Sequence, residues 1–424
     1  MSVLNSLLGM AVLLAVAVLL SSNRRAIRLR TVAGAFLLQV ALGALVLYVP
    51  WGRRLLIGVS DGVGKVISYG NEGVSFLFGG MVSDKMFEVF GGGGFVFAFR
   101  VLPMIVFFAS LVAVLYHLGV MQILIKLIGG FLHKVLGTSK AESMSAAANI
   151  FVGQTEAPLV VRPYIKSMTE SELFAVMSGG LASVAGTILG GYVSMGVPLP
   201  YLIAASFMAA PGGLLFAKLL VPETETVRTE VEPDSADDEK PVNVIDAAAG
   251  GAITGAQIAM CVGASLLAFV ALIAMINGII GGVAGWFGHG DLTLQAILGW
   301  LFAPLAWVIG VPWSEAGIAG SLIGQKVVIN EFVAYSEFVQ YLKPGSAVKL
   351  DETTQAIISF ALCGFANLGS VAILVGGLGI MAPNRRKDVA RLGLKAVVAG
   401  SLSNLMSAVI AGLFIGLSGA ALVA

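Results

Sequence analysis

Hydrophobic residues in this chain gather into long unbroken runs. Residues 1–20, 31–49, 95–120, 172–197, 202–220, 257–287, 356–380 and 397–417 are each apolar for roughly 20 residues, the length a helix needs to cross about 30 Å of hydrocarbon. No stretch shows the dyad alternation of a membrane barrel, so the spans are helical. A Gly-punctuated region, 53–94, is too mixed for a span and predicts an interfacial helix followed by a loop. Residues 121–136 set Lys126, His133 and Lys134 against Ile, Leu and Phe, the pattern of an amphipathic helix at the cytoplasmic surface. Residues 292–309 form one more apolar helix, without an assigned place. Two pairs of segments, 143–152 with 157–165 and 318–329 with 332–339, run for only about ten residues, too short to span alone. Each pair flanks a polar tip, Gly153-Gln154-Thr155-Glu156 in the first and Asn330-Glu331 in the second, and reads as a re-entrant hairpin.

Composition agrees with the runs. Of 424 residues, 58% are hydrophobic and 12% charged, against about 25% charged in soluble domains. A net charge of +1 and the lack of a basic, aromatic-interleaved patch leave nothing for nucleic acid to bind. Cys261 and Cys363, about a hundred residues apart in apolar runs, read as core thiols and not as a disulfide or metal site. Residues 1–20 lack the basic start of a secretory signal, and Arg24, Arg25, Arg28 and Arg30 follow them. By the positive-inside rule that loop is cytoplasmic and the N-terminus outside; Arg385, Arg386 and Lys387 place the loop before the last span in the cytoplasm too.

Against this background Glu156 and Glu331 stand out. An unpaired carboxylate in hydrocarbon costs several kcal/mol, so acids at membrane depth line substrate or ion pathways. The two belong to halves that resemble each other. Residues 180–186 align with 364–370, Thr169 with Thr353, and Gly190-Gly191 with Gly376-Gly377, each set preceded by a Gly-Gln pair and the embedded acid. From 223 to 239 eight acids accompany one base, Arg228, which marks a solvated linker between the halves. The division is then 1–120, N-terminal spans and interfacial helix; 121–221, first repeat with hairpin 140–170; 222–250, acidic linker; 251–290, connecting span; and 291–424, second repeat with hairpin 314–345. Transporters are often built from such inverted halves, with hairpin tips meeting near the midplane.

The strings Asn149-Ile150-Phe151-Val152-Gly153-Gln154-Thr155-Glu156-Ala157-Pro158-Leu159, Asn330-Glu331-Phe332-Val333-Ala334-Tyr335 and Cys363-Gly364-Phe365-Ala366-Asn367-Leu368-Gly369-Ser370 resemble, in this order, the concentrative nucleoside transporters in their compact bacterial form. The resemblance implies an all-α integral membrane protein with eight spans, two opposed re-entrant hairpins and interfacial helices. It also implies a homotrimer in the inner membrane whose mobile transport domains move like elevators against a scaffold. Substrate would be a nucleoside such as uridine, carried inward on a sodium or proton gradient. Carried over by position, Gln154, Thr155 and Glu156 would hold the base, and Glu331, Asn367 and Ser370 the sugar. Phe365 and Ile188 would give apolar contact. An ionised Glu331 accepts only, which suits both ribose hydroxyls. A sodium ion would take the side chains of Asn149 and Ser183 and the carbonyls of Val152, Ser183 and Val184, all neutral oxygens suited to a hard cation. That pattern favours sodium over proton coupling.

Other classes find less support. Gly288-His289-Gly290-Asp291 matches a membrane aspartyl protease string, but no second Asp lies within a span, so it reads as a polar turn. His-Glu-x-x-His, Gly-x-Ser-x-Gly and a Walker lysine are all missing. A channel remains an alternative, since pores also use re-entrant segments. A carrier of another solute is the second, although acids at both tips disfavour an anion.

Overall fold

A computed structural model describes residues 3–90, 94–227, 241–343, 345–346 and 348–419, and every regular element among them is helical. The chain opens with α1 (Val3–Leu19) and α2 (Leu29–Leu47). Then come α3 (Pro50–Phe78), α4 (Lys85–Phe90) and α5 (Phe97–Arg100), which runs into α6 (Leu102–His117). Pro50 in its first turn starts α3, which buries only a stripe formed by Gly52, Leu56, Ser60, Ile67, Gly70 and Val74. This is the interfacial helix expected within 53–94; Gly91, Gly92 and Gly93 lie outside the described residues. α7 (Val120–Leu136) is bounded by Gly119 and Gly137 at φ of 80° and 67°, a left-handed backbone that glycine adopts without strain. It buries Met121, Ile125, Leu132 and Leu136 yet exposes Ile123, Leu127 and Phe131, so it is apolar on both faces and suits a lipid boundary.

The first hairpin rises as α8 (Lys140–Ala148), begun by a capping box between Ser139 and Glu142. Its return arm departs from the helix expected over 157–165. It is a 3₁₀ turn, Ala157–Val161, followed by a single turn, α9 (Arg162–Ile165). Pro158 and Pro163 remove two amide donors there, which a regular helix would need. α10 (Glu170–Ala182) and α11 (Gly186–Met195) form one bent crossing, and α12 (Leu199–Leu220) returns. α13 (Val244–Gly285) runs for 42 residues, starting well before the expected 257, capped by Asn243. Residues 244–250 thus belong to this helix and not to the linker. α14 (Leu294–Val308) and α15 (Trp313–Val328) fold on each other with a bend of 115°, which gives the unplaced helix its position. α15 and α16 (Glu331–Leu342) are the arms of the second hairpin.

The span expected at 356–380 is two half-helices, α17 (Glu352–Leu362) and α18 (Gly369–Met381), separated where Gly364, Asn367 and Gly369 fall. α17 starts at Glu352, so Asp351, and not Thr353, stands at the N-cap position that Thr169 holds in α10. α19 (Arg386–Ser418) starts earlier than 397 because its first turns are tied down. Arg385 donates to Asp388 and to the Met168 carbonyl, while Arg391 reaches Glu170 at 2.5 Å.

Among the described residues six helical stretches are long and apolar enough to cross a membrane, with α1 and α18 apolar but shorter. Burial sorts them. The apolar windows of α10–α11, α12 and α19 are 89%, 94% and 83% buried, against 22% for α2, 28% for α5–α6 and 6% for α13. An inner body of broken and straight helices is therefore flanked by helices that keep most of their surface outward. The linker also departs from expectation at its start. Glu223 is buried, accepting from Thr169 Oγ1 at 2.8 Å, and Glu225 accepts the Glu170 amide at 3.0 Å. Residues 228–240, the rest of the acidic run, lie outside the described residues.

Candidate functional site

The tips and the breaks converge. α8 ends at Asn149 and the chain then folds back on itself: the Glu156 and Ala157 amides both donate to the Gly153 carbonyl, at 3.1 and 2.9 Å. The second tip is a helix start. Asn330 Oδ1 caps α16 by accepting the Val333 amide at 2.9 Å, which puts Glu331 in the first turn, where the helix dipole favours a carboxylate. The broken crossings lie against both tips. The Gly186 amide donates to Phe151 O at 2.9 Å, and the Leu368 amide to Val327 O at 3.0 Å. A side chain at Gly186 would place Cβ 2.5 Å from that Phe151 oxygen, so the approach requires glycine.

Glu331 is 4% exposed and held at both oxygens: Tyr192 Oη donates to Oε1 and Asn367 Nδ2 to Oε2, each at 3.1 Å. Asn367 Oδ1 accepts the Ser370 amide at 2.9 Å, and Gln154 Nε2 donates to Ser370 Oγ at 3.4 Å. One relay of hydrogen bonds thus links α11, both hairpin tips and the break in α17–α18. Beside it lies a cavity of about 590 Å³, in the range of small-molecule sites. Gln154, Thr155, Glu156, Ile188, Glu331, Phe365, Asn367 and Ser370 all line it, so the eight residues singled out for substrate share one space. Gln154 Oε1 is buried without a protein partner. The set could bind and orient polar groups between apolar walls.

The four residues singled out for the cation fall behind the first tip. Asn149, Val152, Ser183 and Val184 are each buried to 1% exposure or less. Both side-chain amide atoms of Asn149 lack a protein partner, and a bound cation would take the oxygen, Oδ1. Gly179, one turn before Ser183, lies against Asn149: a Cβ there would be 3.4 Å from Nδ2. Ser183 Oγ donates to Gly180 O at 3.2 Å, and its carbonyl accepts the Phe365 amide at 3.1 Å, leaving lone pairs on both oxygens. The donor set of neutral oxygens fits a hard monovalent cation.

Sequence reasoning missed three residues at the crossing. Asn404 of α19 donates to the carbonyls at the ends of both half-helices, Ala182 at 2.6 Å and Cys363 at 2.8 Å, and accepts from the fully buried Lys326 at 2.8 Å. Gly364 makes room for it, since a Cβ there would sit 2.3 Å from Asn404 Oδ1. Tyr192 is the third. Asn404 and Lys326 are polar residues inside apolar runs, so the reasoning that picked out the two acids reaches them as well. Cys363 is buried as expected. Cys261 is not a core thiol: it is exposed on the cavity side of α13, because that helix turns one face to the site.

Comparisons with known proteins cover nearly the whole chain. Residues 8–81 match the family model described as the Na+ dependent nucleoside transporter N-terminus, and 201–412 match its C-terminus model. Between them, 98–199 match the nucleoside recognition model named Gate. The chain is 64% identical over 423 residues to an uncharacterized transporter of Haemophilus influenzae, covering 100% of both. It is 58% identical over 417 residues to the nucleoside permease NupC of Helicobacter pylori, covering 98% of this chain and 99% of that one. Mouse sodium/nucleoside cotransporter 1 is 38% identical over 422 residues, 96% of this chain and 63% of the relative. Among solved structures, CNTnw in an inward-facing substrate-bound state is 82% identical and superposes with a TM-score of 0.96 over 99% of this chain and 100% of that one.

Proposed function

The chain belongs to the concentrative nucleoside transporter family, and from that premise we propose that it imports nucleosides by sodium symport. It is a multi-pass membrane transporter for nucleosides and not an enzyme. The finer reading rests above all on Glu331, gripped by Tyr192 and Asn367 across the cavity from Gln154-Thr155-Glu156. Both Glu331 oxygens keep lone pairs beyond the ones used by Tyr192 and Asn367, so the carboxylate accepts from the 2′ and 3′ hydroxyls of a ribose. The buried, partnerless Oε1 of Gln154 suits a hydrogen-bond donor on the base, such as the ring N–H of uracil, with Thr155 and Glu156 beside it. Ile188 and Phe365 flank the rings.

Sodium occupies the neutral-oxygen set of Asn149, Val152, Ser183 and Val184. Because Val152 leads directly into Gly153 and Gln154, an ion there orders the tip that holds the base and couples the two bindings. A cation moving down ~100 mV supplies ~2.3 kcal/mol. A tenfold sodium gradient adds about 1.4 kcal/mol, so accumulation of roughly several hundredfold is within reach at one-to-one coupling.

Eight crossings follow if α1 and the broken α17–α18 join the six long stretches, with the Arg24–Arg30 loop in the cytoplasm of a bacterial inner membrane and the N-terminus outside. The buried inner body is the moving transport domain; α1 to α6 and α13 are the scaffold on which it slides, elevator fashion. The exposed apolar residues of α3, among them Leu55, Val59, Tyr69 and Phe76, give copies of the chain a place to meet as a homotrimer in lipid. Uptake of uridine with sodium, lithium or a proton gradient alone, beside Glu331→Gln and Asn149→Ala, tests the reading. Loss of uptake in the first variant and of sodium dependence in the second supports it, whereas ordinary behaviour in both rejects it.

A further inference from the structure

α13 is one long helix with three faces. At about 100° per residue, Gly251, Gly255, Ala259 and Gly263 fall on one side and pack on α6: a Cβ at Gly255 would come within 2.7 Å of Val106, and one at Gly251 within 2.8 Å of Ser110. Ile253, Met260 and Leu267, 64%, 74% and 75% exposed, form a second face toward lipid. Thr254, Gln257, Cys261 and Ser265, spaced three, four and four apart, form the third, and all four line the 590 Å³ cavity opposite the hairpin tips. Thr254 lines a neighbouring cavity of about 730 Å³ as well, which shares Glu156 and Thr187 with the first and continues along α13 to Asp246 and Pro241. Thr254 Oγ1 is occupied by the Gly250 carbonyl at 3.0 Å, while the Gln257 amide has no protein partner among the described residues. A carboxamide within a membrane-crossing helix costs free energy unless something in the cavity satisfies it.

We infer that this polar stripe is the fixed wall of the substrate path, and that Gln257 is a specificity-determining residue that hydrogen-bonds the bound nucleoside from the side opposite the hairpin tips. The inference rests on the nucleoside reading above and extends it to residues outside the matching strings. A wall of hydrogen-bonding groups at successive turns keeps the exposed edge of the substrate satisfied while the inner body moves past it. The hairpin tips and Gln257 together select the ligand; the rest of the stripe accompanies it.

Cys261 is a native probe of this wall, because Cys363 is buried and the sequence holds no other cysteine. The unmodified full-length protein in proteoliposomes is treated with a small cationic methanethiosulfonate, with and without saturating uridine in sodium. One thiol reacts, uptake falls, and uridine slows the reaction at least about tenfold. Met260→Cys in a Cys261→Ser background, on the lipid face, gains no protection from uridine. Gln257→Leu raises KM for uridine about tenfold, the factor that about 1.4 kcal/mol of lost hydrogen bonding gives, with an unchanged melting temperature, and Gln257→Asn recovers part of it. Reaction of Cys261 at the same rate with and without uridine, reaction without loss of uptake, no reaction at all, or an unchanged KM in Gln257→Leu overturns the inference while uridine is still carried. Absence of uridine uptake in the untreated protein brings down the nucleoside reading, and the inference with it.

Discussion

Glu331 owes its tolerance in an apolar setting to the two donors that hold it, and those donors define its use. A 2′-deoxynucleoside offers one hydroxyl fewer to an ionised acceptor, and a hydrogen bond to a charged group is worth about 1.5–3 kcal/mol. Deoxyuridine is therefore expected to compete with uridine at least about tenfold less well in uptake; equal competition removes Glu331 from the sugar. Asn404 carries a different load. Its loss in Asn404→Leu frees two carbonyls and strands Lys326 among buried groups, and each buried polar group left without a partner costs about 1–3 kcal/mol, more for a charged one. Thermal unfolding in detergent is expected to show a large drop for Asn404→Leu and a small one for the lipid-facing Met260→Leu. Seven of the eight cavity residues come from three short strings visible in the sequence as polar islands in apolar runs, and Ile188 lies outside them in α11. Tyr192 does not stand out in that way, since a tyrosine within a span is ordinary, and only the folded geometry brings its hydroxyl to Glu331.

Elements show where patterning suffices and where it stops. Runs of about twenty apolar residues marked most crossings, because lipid demands a continuous helix of that length. Helix ends were less legible. α13 continues thirteen residues before 257 because Asn243 caps it and small residues between 247 and 256 pack on α6, whereas hydropathy alone places the start later. The return arm of the first hairpin was read as a helix, yet its two prolines hold it to short turns. The base of that hairpin is pinned by Lys218 of α12, which pairs with Glu142, donates to Ser171 Oγ at 2.8 Å and stands 3.8 Å from Glu223. This network fastens α8, α10 and α12 into one block, as the proposed moving body would require. Lys218→Met leaves those carboxylates buried without their cation, so it is expected to lower the melting temperature sharply. A double variant, Lys218→Met with Glu142→Leu, is expected to recover much of the loss, and additive losses in the pair exclude the coupling.

The whole molecule joins a tightly packed inner body, which carries the tips and both breaks, to outer helices that keep their surfaces outward. On the proposed reading, the substrate and cation sites both lie on the inner body, one on each side of the first tip, so a single displacement of that body would carry both. Under that proposal the arrangement would make a pump without ATP: the ion would order the tip, the tip would hold the base, and the pair would cross together. The central claim is the coupling, and accumulation measures it most directly. Purified protein in proteoliposomes, given an inward sodium gradient and an inside-negative potential, is expected to concentrate labelled uridine well above the external level, and to lose the gain when potassium replaces sodium. Uridine that merely equilibrates whatever the sodium gradient, or that accumulates on a proton gradient alone, would contradict the account.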